Sequence, residues 1–182
     1  HDIPLYNFFA RLFSPYAEFK NLFKDQLEKD FVHGDVLVTG LNSTSRWRHV
    51  QGGFDLPRLE ERLSQKAPGT KFHNAAFHHP MDCRKPQDEK NLLKNSAAVM
   101  ALFEQYGVDL ILGGHIHDPY VTLSKVRYRS AKRNMLIGVA GTCLSWRIRP
   151  GAPNSFNLID VDTSANPVKT VLARYDQRED KM

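Results

Sequence analysis

The chain has 182 residues, of which 41% are hydrophobic and 25% are charged, and its formal net charge is +5. This length supports one domain with a substantial core and leaves little room for two. No apolar run approaches the roughly 18 residues of a membrane-spanning helix, so we expect a soluble protein without a membrane span. The one dense basic group, Arg127, Arg129, Lys132 and Arg133, is interpreted as a solvated hairpin tip, so nucleic-acid binding is not indicated.

The cysteine content points to a reducing compartment. Cys83 and Cys143 are too few and too far apart for a disulfide framework or a paired-cysteine metal site. With no signal-peptide pattern, we expect a cytoplasmic location. The chain starts with His1 rather than Met, as a processed product or a piece of a longer chain would.

Hydrophobic periodicity predicts an α/β chain. Apolar residues at helical spacing predict helices over about 5–13, 16–27, 56–65 and 91–106. Short apolar runs predict strands over about 35–42, 71–77, 108–112, 120–126, 134–140, 155–161 and 168–175. Helices alternate with buried strands in the first two thirds, and strands dominate the last third. This order favours a sheet with a parallel and an antiparallel portion.

Two helix ends carry recognisable caps. Asp55 is a plausible N-cap for the third predicted helix, whose apolar stripe contains Leu59 and Leu63. Gly107 ends the fourth helix in the C′ position, where a left-handed backbone favours glycine.

Two histidines follow the apolar run 108–112, after a pair of glycines. His115 and His117 are one residue apart, and an extended backbone would direct both side chains to the same side. Neutral imidazoles are good ligands for zinc, iron and manganese. We therefore predict a metal site at the carboxyl end of this strand, where open α/β sheets usually place ligands.

A second histidine pair supports this interpretation. His78 and His79 follow the predicted strand 71–77, and Pro80 stiffens the turn after them. A single histidine is more often a surface or hydrogen-bonded residue, and we assign that role to His33, His49 and His73. Asp82 and Asp118 are near the pairs in sequence, but neither is placed like a bridging metal ligand from a strand end.

Three short motifs in order resemble the second half of a calcineurin-like metallophosphoesterase. His1-Asp2 resembles the end of that family's Gly-Asn-His-Asp motif, His78-His79-Pro80 its middle histidine motif, and Gly114-His115-Ile116-His117 its Gly-His-x-His motif. Gly141-Thr142 and Asn154-Ser155-Phe156-Asn157 look like the closing strands of the bacterial branch that includes class III cyclic-nucleotide phosphodiesterases.

The resemblance implies roles for individual residues. His78 and His115 would bind the second metal ion, and His117 would bind the first. His78 is chosen over His79 because the family pattern is His-x-Pro, which leaves His79 as a neighbour or outer group. His1 would sit beside the scissile phosphate and protonate the leaving oxygen or stabilise its charge. The cofactors would be two divalent or trivalent ions of manganese, iron or zinc.

The resemblance also implies a fold and an activity. The fold would be part of a four-layer α/β/β/α sandwich with mixed sheets and its amino-terminal portion missing. Residues 1–175 would be the carboxyl-terminal portion of one domain, and 176–182 a charged tail. The activity would be hydrolysis of phosphomonoesters or phosphodiesters of small molecules by a hydroxide that two metal ions activate. Imidazole from His1 would assist the departing oxygen.

Part of the family pattern is absent from the 182 residues. The Asp-x-His motif, the bridging aspartate and the asparagine before the catalytic histidine would precede His1. We therefore expect this piece alone to bind metal weakly and to hydrolyse esters poorly or not at all. The roles of Asp2, Arg46, Asn42 and Cys83 stay open between site contacts and ordinary capping, loop or packing positions.

Two alternatives belong to other functional classes. The chain could be a non-catalytic binding module that keeps only the fold. A minor alternative is a copper-binding oxidoreductase in which the amino-terminal His1 binds copper through its amine and imidazole. The copper alternative leaves the Gly-His-x-His motif unexplained and lacks disulfides and a secretory context.

Overall fold

The computed structural model describes residues 7–24, 27–45 and 51–177. The α-helices are α1 (Phe8–Phe13), α2 (Ala17–Phe23), α3 (Leu56–Ser64), α4 (Ser96–Gln105) and α5 (Ser124–Arg127), with a 3-10 helix at Pro86–Asn91. The strands are β1 (Asp30–His33), β2 (Val36–Gly40), β3 (Phe72–Ala76), β4 (Leu110–Gly113), β5 (Tyr120–Leu123), β6 (Leu136–Val139), β7 (Ser155–Asp162) and β8 (Lys169–Asp176). No helix within the described ranges is both long and apolar enough to cross a bilayer.

Six strands form one mixed sheet in the order β1-β2-β3-β4-β6-β5. The four inner strands are parallel, and β1 and β5 are antiparallel at the edges. β7 and β8 form a separate antiparallel pair, and Leu172 of β8 lies so close to Gly138 of β6 that a Cβ there would meet it at 2.9 Å. The predicted α/β class, with a parallel and an antiparallel portion, is confirmed.

The core lies between the sheet and helices α3 and α4. Leu59 and Leu63 of α3 are almost fully buried, and Asp55 caps the helix by accepting a hydrogen bond from the Arg58 N–H at 3.0 Å. Both predictions for α3 are therefore confirmed. Phe77 and Phe103 continue the core, with ring centroids 5.8 Å apart.

Helix α4 is shorter than predicted because the segment before it bonds to loops instead of continuing the helix. The Leu93 N–H donates to the Pro80 carbonyl, and the Lys94 N–H donates to the Gly52 carbonyl. The Asn95 side chain exchanges two hydrogen bonds with the Phe54 backbone. These tertiary hydrogen bonds hold residues 92–95 outside the helix, against the loops that contain Pro80 and Gly52. Gly107 takes the predicted left-handed backbone, with φ +66°.

Two short elements, strand β1 and helix α5, differ from the prediction. Strand β1 pairs with β2 through a hairpin in which His33 faces Val36, and Gly34 takes φ +54° in the two-residue turn. Glycine followed by aspartate is a hairpin signal that could have revealed this strand. The predicted strand 120–126 ends at Leu123, and its last part is helix α5.

The basic group at 127–133 lies on the connection between the antiparallel strands β5 and β6, where Arg129, Lys132 and Arg133 are exposed as predicted. The ion pairs that two of its arginines form were not predicted. Arg127 is about one-quarter exposed and pairs with Asp82 and Glu89. Arg133 pairs with Asp109 at 2.6 Å. These arginines bind carboxylates from distant segments and tie the connection between β5 and β6 to the rest of the fold.

His73 is a hydrogen-bonded histidine, one of the two roles expected from the sequence, and it lies in the core. Its side chain is fully buried, and its Nε2 lies 2.9 Å from the Thr39 Oγ1. Burial lowers the pKa of His73 because the charged form loses its hydration. A neutral, hydrogen-bonded imidazole of this kind has a structural role.

A two-pronged ion pair anchors the segment that follows β6. The Arg149 guanidinium donates from Nη1 and Nη2 to the two carboxylate oxygens of Asp88, at 2.7 and 2.8 Å. Asp88 lies in the 3-10 helix and is only 2% exposed. The hydrogen bond from Arg149 lowers the pKa of Asp88. The pair therefore joins the 3-10 helix to the segment after β6.

We expect Arg149→Gln to lower the free energy of unfolding by about 2–3 kcal/mol at neutral pH, because it leaves a buried carboxylate without its cation. The value lies below the range for fully buried pairs because the Arg149 side chain is 32% exposed. Since folding lowers the pKa of Asp88, the loss should shrink as the pH falls below about 4, where the unfolded carboxyl also becomes protonated. Urea titrations across this pH range measure it. The exposed neighbour Arg147, changed to Gln, is the control and should shift stability by less than about 0.5 kcal/mol.

Candidate metal centre

The two histidine pairs meet because their strands are parallel neighbours. β3 and β4 pair in register, with Ala76 opposite Leu112. Backbone pairing continues past the strand ends, where the Gly114 N–H donates to the His78 carbonyl at 2.9 Å. This register places the residues that follow both strands at one edge of the sheet.

A tight three-residue turn sets the direction of His115. The Ile116 N–H donates to the Gly114 carbonyl at 2.7 Å, and His115 between them has φ +67°. His117 also has a positive φ, of +52°. The predicted extended alternation of the two histidines is therefore wrong. Non-glycine residues rarely adopt these backbone angles, and such strain concentrates at functional sites.

Three imidazoles lie together at this edge. The His78 Nε2 and the His115 Nδ1 are 2.9 Å apart. The ring of His79 lies 5.0 Å from that of His78 and 4.8 Å from that of His115, between centroids. One nitrogen from each ring lies within 4.8 Å of the other two. His78 is exposed, His115 is half-buried and His79 is buried, so the group opens to solvent on one side.

His79 is held from behind by two residues of the loop after β2. Its Nδ1 lies 2.9 Å from the Ser43 Oγ, and its backbone N–H donates to the same oxygen at 3.2 Å. Gly52 packs directly against the ring, where any Cβ would overlap the ring and the Ser43 carbonyl. Gly113 approaches Pro80 closely from β4. The position of the His79 ring is therefore fixed by packing and hydrogen bonds.

The donor set and spacing fit a transition metal ion. Two imidazole nitrogens on one tetrahedral ion, each about 2.1 Å from it, lie about 3.4 Å apart. The nitrogen separations here, 2.9 Å for His78 and His115 and no more than 4.8 Å overall, bracket that value. Imidazole donors suit zinc, iron and their neighbours better than magnesium or calcium.

Comparison with protein families agrees with this geometry. A family model, the calcineurin-like phosphoesterases, matches residues 1–119, which include both histidine pairs. The chain belongs to the calcineurin-like phosphoesterase family. The match ends before Gly141-Thr142 and Asn154, so it identifies the family and not a branch of it. A search of curated proteins found no match.

The structure of this calcineurin-like phosphoesterase brings together two of the predicted site residues. His78 and His115 are in the three-imidazole group, together with His79, which the sequence analysis treated as a neighbour or outer group. His117 is half-buried and lies two residues beyond, outside this group. His1, the predicted catalytic residue, lies outside the described residues, as do Asp2 and Arg46.

The carboxylates near the histidines in sequence form ion pairs with arginine and lysine side chains. Asp118 is buried and pairs with Arg84 at 2.6 Å and with Lys85 at 3.1 Å. Asp82 pairs with Arg127. This agrees with the inference that neither aspartate is placed as a bridging ligand. In the part of the chain that the structure describes, the group that could hold a metal ion consists of imidazoles only.

The structure also places two residues whose roles were open. Cys83 is packed in the core, and burial raises the pKa of its thiol to about 11, so the thiol is inert at neutral pH. Asn42 accepts hydrogen bonds from the Thr44 N–H and hydroxyl. It lines a cavity of about 280 Å³ next to Tyr16 and Phe54.

Ser43 and Gly52 are the contributors to this site that sequence reasoning missed. Both lie in or beside the long polar loop between β2 and α3. Their signal was weak, because a serine after a strand and one glycine of a Gly-Gly pair are common loop residues. Only the fold shows that this loop lies against His79.

Proposed function

We propose that this protein is a metal-dependent phosphoesterase that hydrolyses phosphomonoesters or phosphodiesters of small molecules. Its last strands resemble those of the bacterial branch that includes cyclic-nucleotide phosphodiesterases, so we include cyclic nucleotides among the candidate substrates. The observation that supports it best is the 2.9 Å approach of His78 and His115 at one sheet edge, in a chain of the calcineurin-like phosphoesterase family. The net charge of +5 suits an anionic substrate.

The proposed ligand assignment follows the predicted roles. His78 and His115 bind one ion of manganese, iron or zinc, and His117 binds a second. His79 holds the first two rings in place through its bonds to Ser43 and its contacts with both imidazoles.

Different residues of this chain have different roles in the proposed ester hydrolysis. When bound, the metal ions would supply Lewis-acid activation of water and would neutralise charge on the phosphoryl oxygens. The turn at His115 and the 2.9 Å contact of its Nδ1 with the His78 Nε2 place the two rings side by side before the ions bind. The exposed side of His78 leaves room for a phosphoryl group. His1 donates a proton to the leaving oxygen in this proposal.

The test is hydrolysis of p-nitrophenyl phosphate and bis(p-nitrophenyl) phosphate in the presence of Mn²⁺. The assay uses the protein as its gene encodes it, in parallel with the 182-residue chain. We expect the gene-encoded protein to hydrolyse these esters, with EDTA abolishing the activity and Mn²⁺ restoring it. The 182-residue chain should show little hydrolysis. His115→Ala should remove the activity, while the control His33→Ala, in the exposed edge strand β1, should retain it. Metal-independent hydrolysis, or full activity of His115→Ala, would contradict the proposal.

A further inference from the structure

The segment after β6 carries large apolar side chains that the fold does not cover. Leu144 is 94% exposed, Trp146 is 86% exposed and Ile148 is about half exposed. The Arg147 guanidinium lies 5.5 Å from the centre of the Trp146 ring. We call residues 143–148 the Trp146 loop. Leucine, tryptophan and arginine together on a protruding loop are the combination found at membrane–water interfaces.

The base of the Trp146 loop is fixed on both sides. Before it, the Thr142 hydroxyl donates to the Asn154 side chain at 2.7 Å, and Gly141 packs against Pro119. After it, Arg149 binds Asp88 through two hydrogen bonds. Within the loop, the Arg147 N–H donates to the Ser145 Oγ at 3.0 Å. The apolar residues are therefore held outward on an anchored loop, so they do not reflect a frayed chain end.

The charges beside this loop are predominantly positive. Arg147 is exposed, and next to the loop base two cations, Arg84 and Lys85, share one buried carboxylate, that of Asp118. Lys90 is exposed on the 3-10 helix that Arg149 binds, and the two acidic residues of that helix, Asp88 and Glu89, are paired with Arg149 and Arg127. An anionic surface is the complement of this arrangement, and each Lys or Arg near an anionic bilayer strengthens binding.

The loop leaves the sheet at the edge that carries the histidines. β6 is parallel to β4, and the Ala140 N–H that follows β6 donates to the Gly113 carbonyl at 2.7 Å. We propose that the Trp146 loop docks this protein on an anionic phospholipid surface, with Leu144, Trp146 and Ile148 entering the interface and Arg147 contacting lipid phosphates. The metal-centre edge then lies on the membrane side of the protein. This goes beyond the proposed hydrolysis and does not depend on it.

The test is co-sedimentation with vesicles of phosphatidylcholine alone and of phosphatidylcholine mixed with phosphatidylglycerol, in metal-free buffer. We expect binding to the anionic vesicles. Trp146→Ala and Leu144→Ala should each weaken it by about tenfold or more, since each removes a large apolar group from the interface. Arg147→Gln should weaken binding to anionic vesicles by about fivefold and leave binding to neutral vesicles unchanged. Val126→Ala, an exposed apolar residue elsewhere, is the control and should bind normally.

Tryptophan fluorescence gives a second readout that does not depend on altering the loop. The chain has two tryptophans, so a Trp47→Phe variant reports on Trp146 alone. Its emission should shift to the blue on anionic vesicles and be quenched by brominated lipid. An unchanged emission, or vesicle binding that survives Trp146→Ala, would overturn the proposal. The proposal would also be overturned if the protein bound no vesicles but self-associated, and Trp146→Ala abolished this self-association. The Trp146 loop would then contact a second copy of the chain and not a membrane. Vesicle binding by an inactive His115→Ala protein separates this proposal from the enzymatic one.

Discussion

Replacing His115 with alanine is expected to lower the affinity for Zn²⁺ or Mn²⁺ by more than about a hundredfold, and His78→Ala should do the same. Loss of an outer partner of a metal ligand alone costs about 10–100-fold, so loss of a ligand should cost more. Both side chains are at least partly exposed, so the fold should survive either change. Isothermal titration of the protein as its gene encodes it, as in the hydrolysis assay, measures the affinity, and circular dichroism verifies the fold.

Two further variants make this prediction specific. Ser43→Ala removes the hydroxyl that binds His79 while nearly preserving volume, so the metal affinity should fall by about tenfold, less than for His115→Ala. His33→Ala changes a histidine on the outer strand and should leave the affinity unchanged. If His115→Ala bound metal as tightly as the unchanged protein, the assignment of the imidazole group would be wrong.

Gly52→Ala is expected to have the second large effect. A methyl group at this position overlaps the His79 ring and the Ser43 carbonyl, neither of which is a flexible side-chain end. The ring and the loop must therefore move. We expect the metal affinity to fall by about 10–100-fold and the free energy of unfolding to fall by about 1–3 kcal/mol. Metal titration and chemical denaturation measure the two effects on the same protein.

Gly114→Ala is the matched control for Gly52→Ala. Gly114 directly precedes His115, but an added Cβ would have the His78 carbonyl as its nearest neighbour, at 3.9 Å. This is ordinary van der Waals contact, so affinity and stability should change little. If both variants behaved alike, the effect of Gly52→Ala would reflect glycine replacement in general and not its contact with His79.

Elements that depend on local pattern were predictable from the sequence. The cap at Asp55, the apolar stripe of α3 and the left-handed Gly107 each depend on residues that are close together in the sequence. The late start of α4 was not predictable, because residues 92–95 form hydrogen bonds to Pro80, Gly52 and Phe54, which are far away in sequence. The ion pairs of Arg127 escaped prediction for the same reason, since charge clusters are solvated unless the fold supplies partners.

The candidate site was predictable in its residues more than in its geometry. The histidine pairs after two buried strands indicated His78 and His115, because parallel strands end at one edge. The direction of His115 was predicted wrongly, since its backbone is in a turn at positive φ and not in an extended strand. The support of His79 by Ser43 and Gly52 depends on a loop that only the folded chain brings near.

The central claim is that His78 and His115 bind the same metal ion. X-ray absorption at the zinc K-edge, on protein loaded with one equivalent of Zn²⁺, tests this most directly. We predict at least two imidazole nitrogens at about 2.0–2.1 Å from zinc in the unchanged protein, and one fewer in His115→Ala. A coordination shell of oxygens only, or an identical imidazole count in the two proteins, would contradict it.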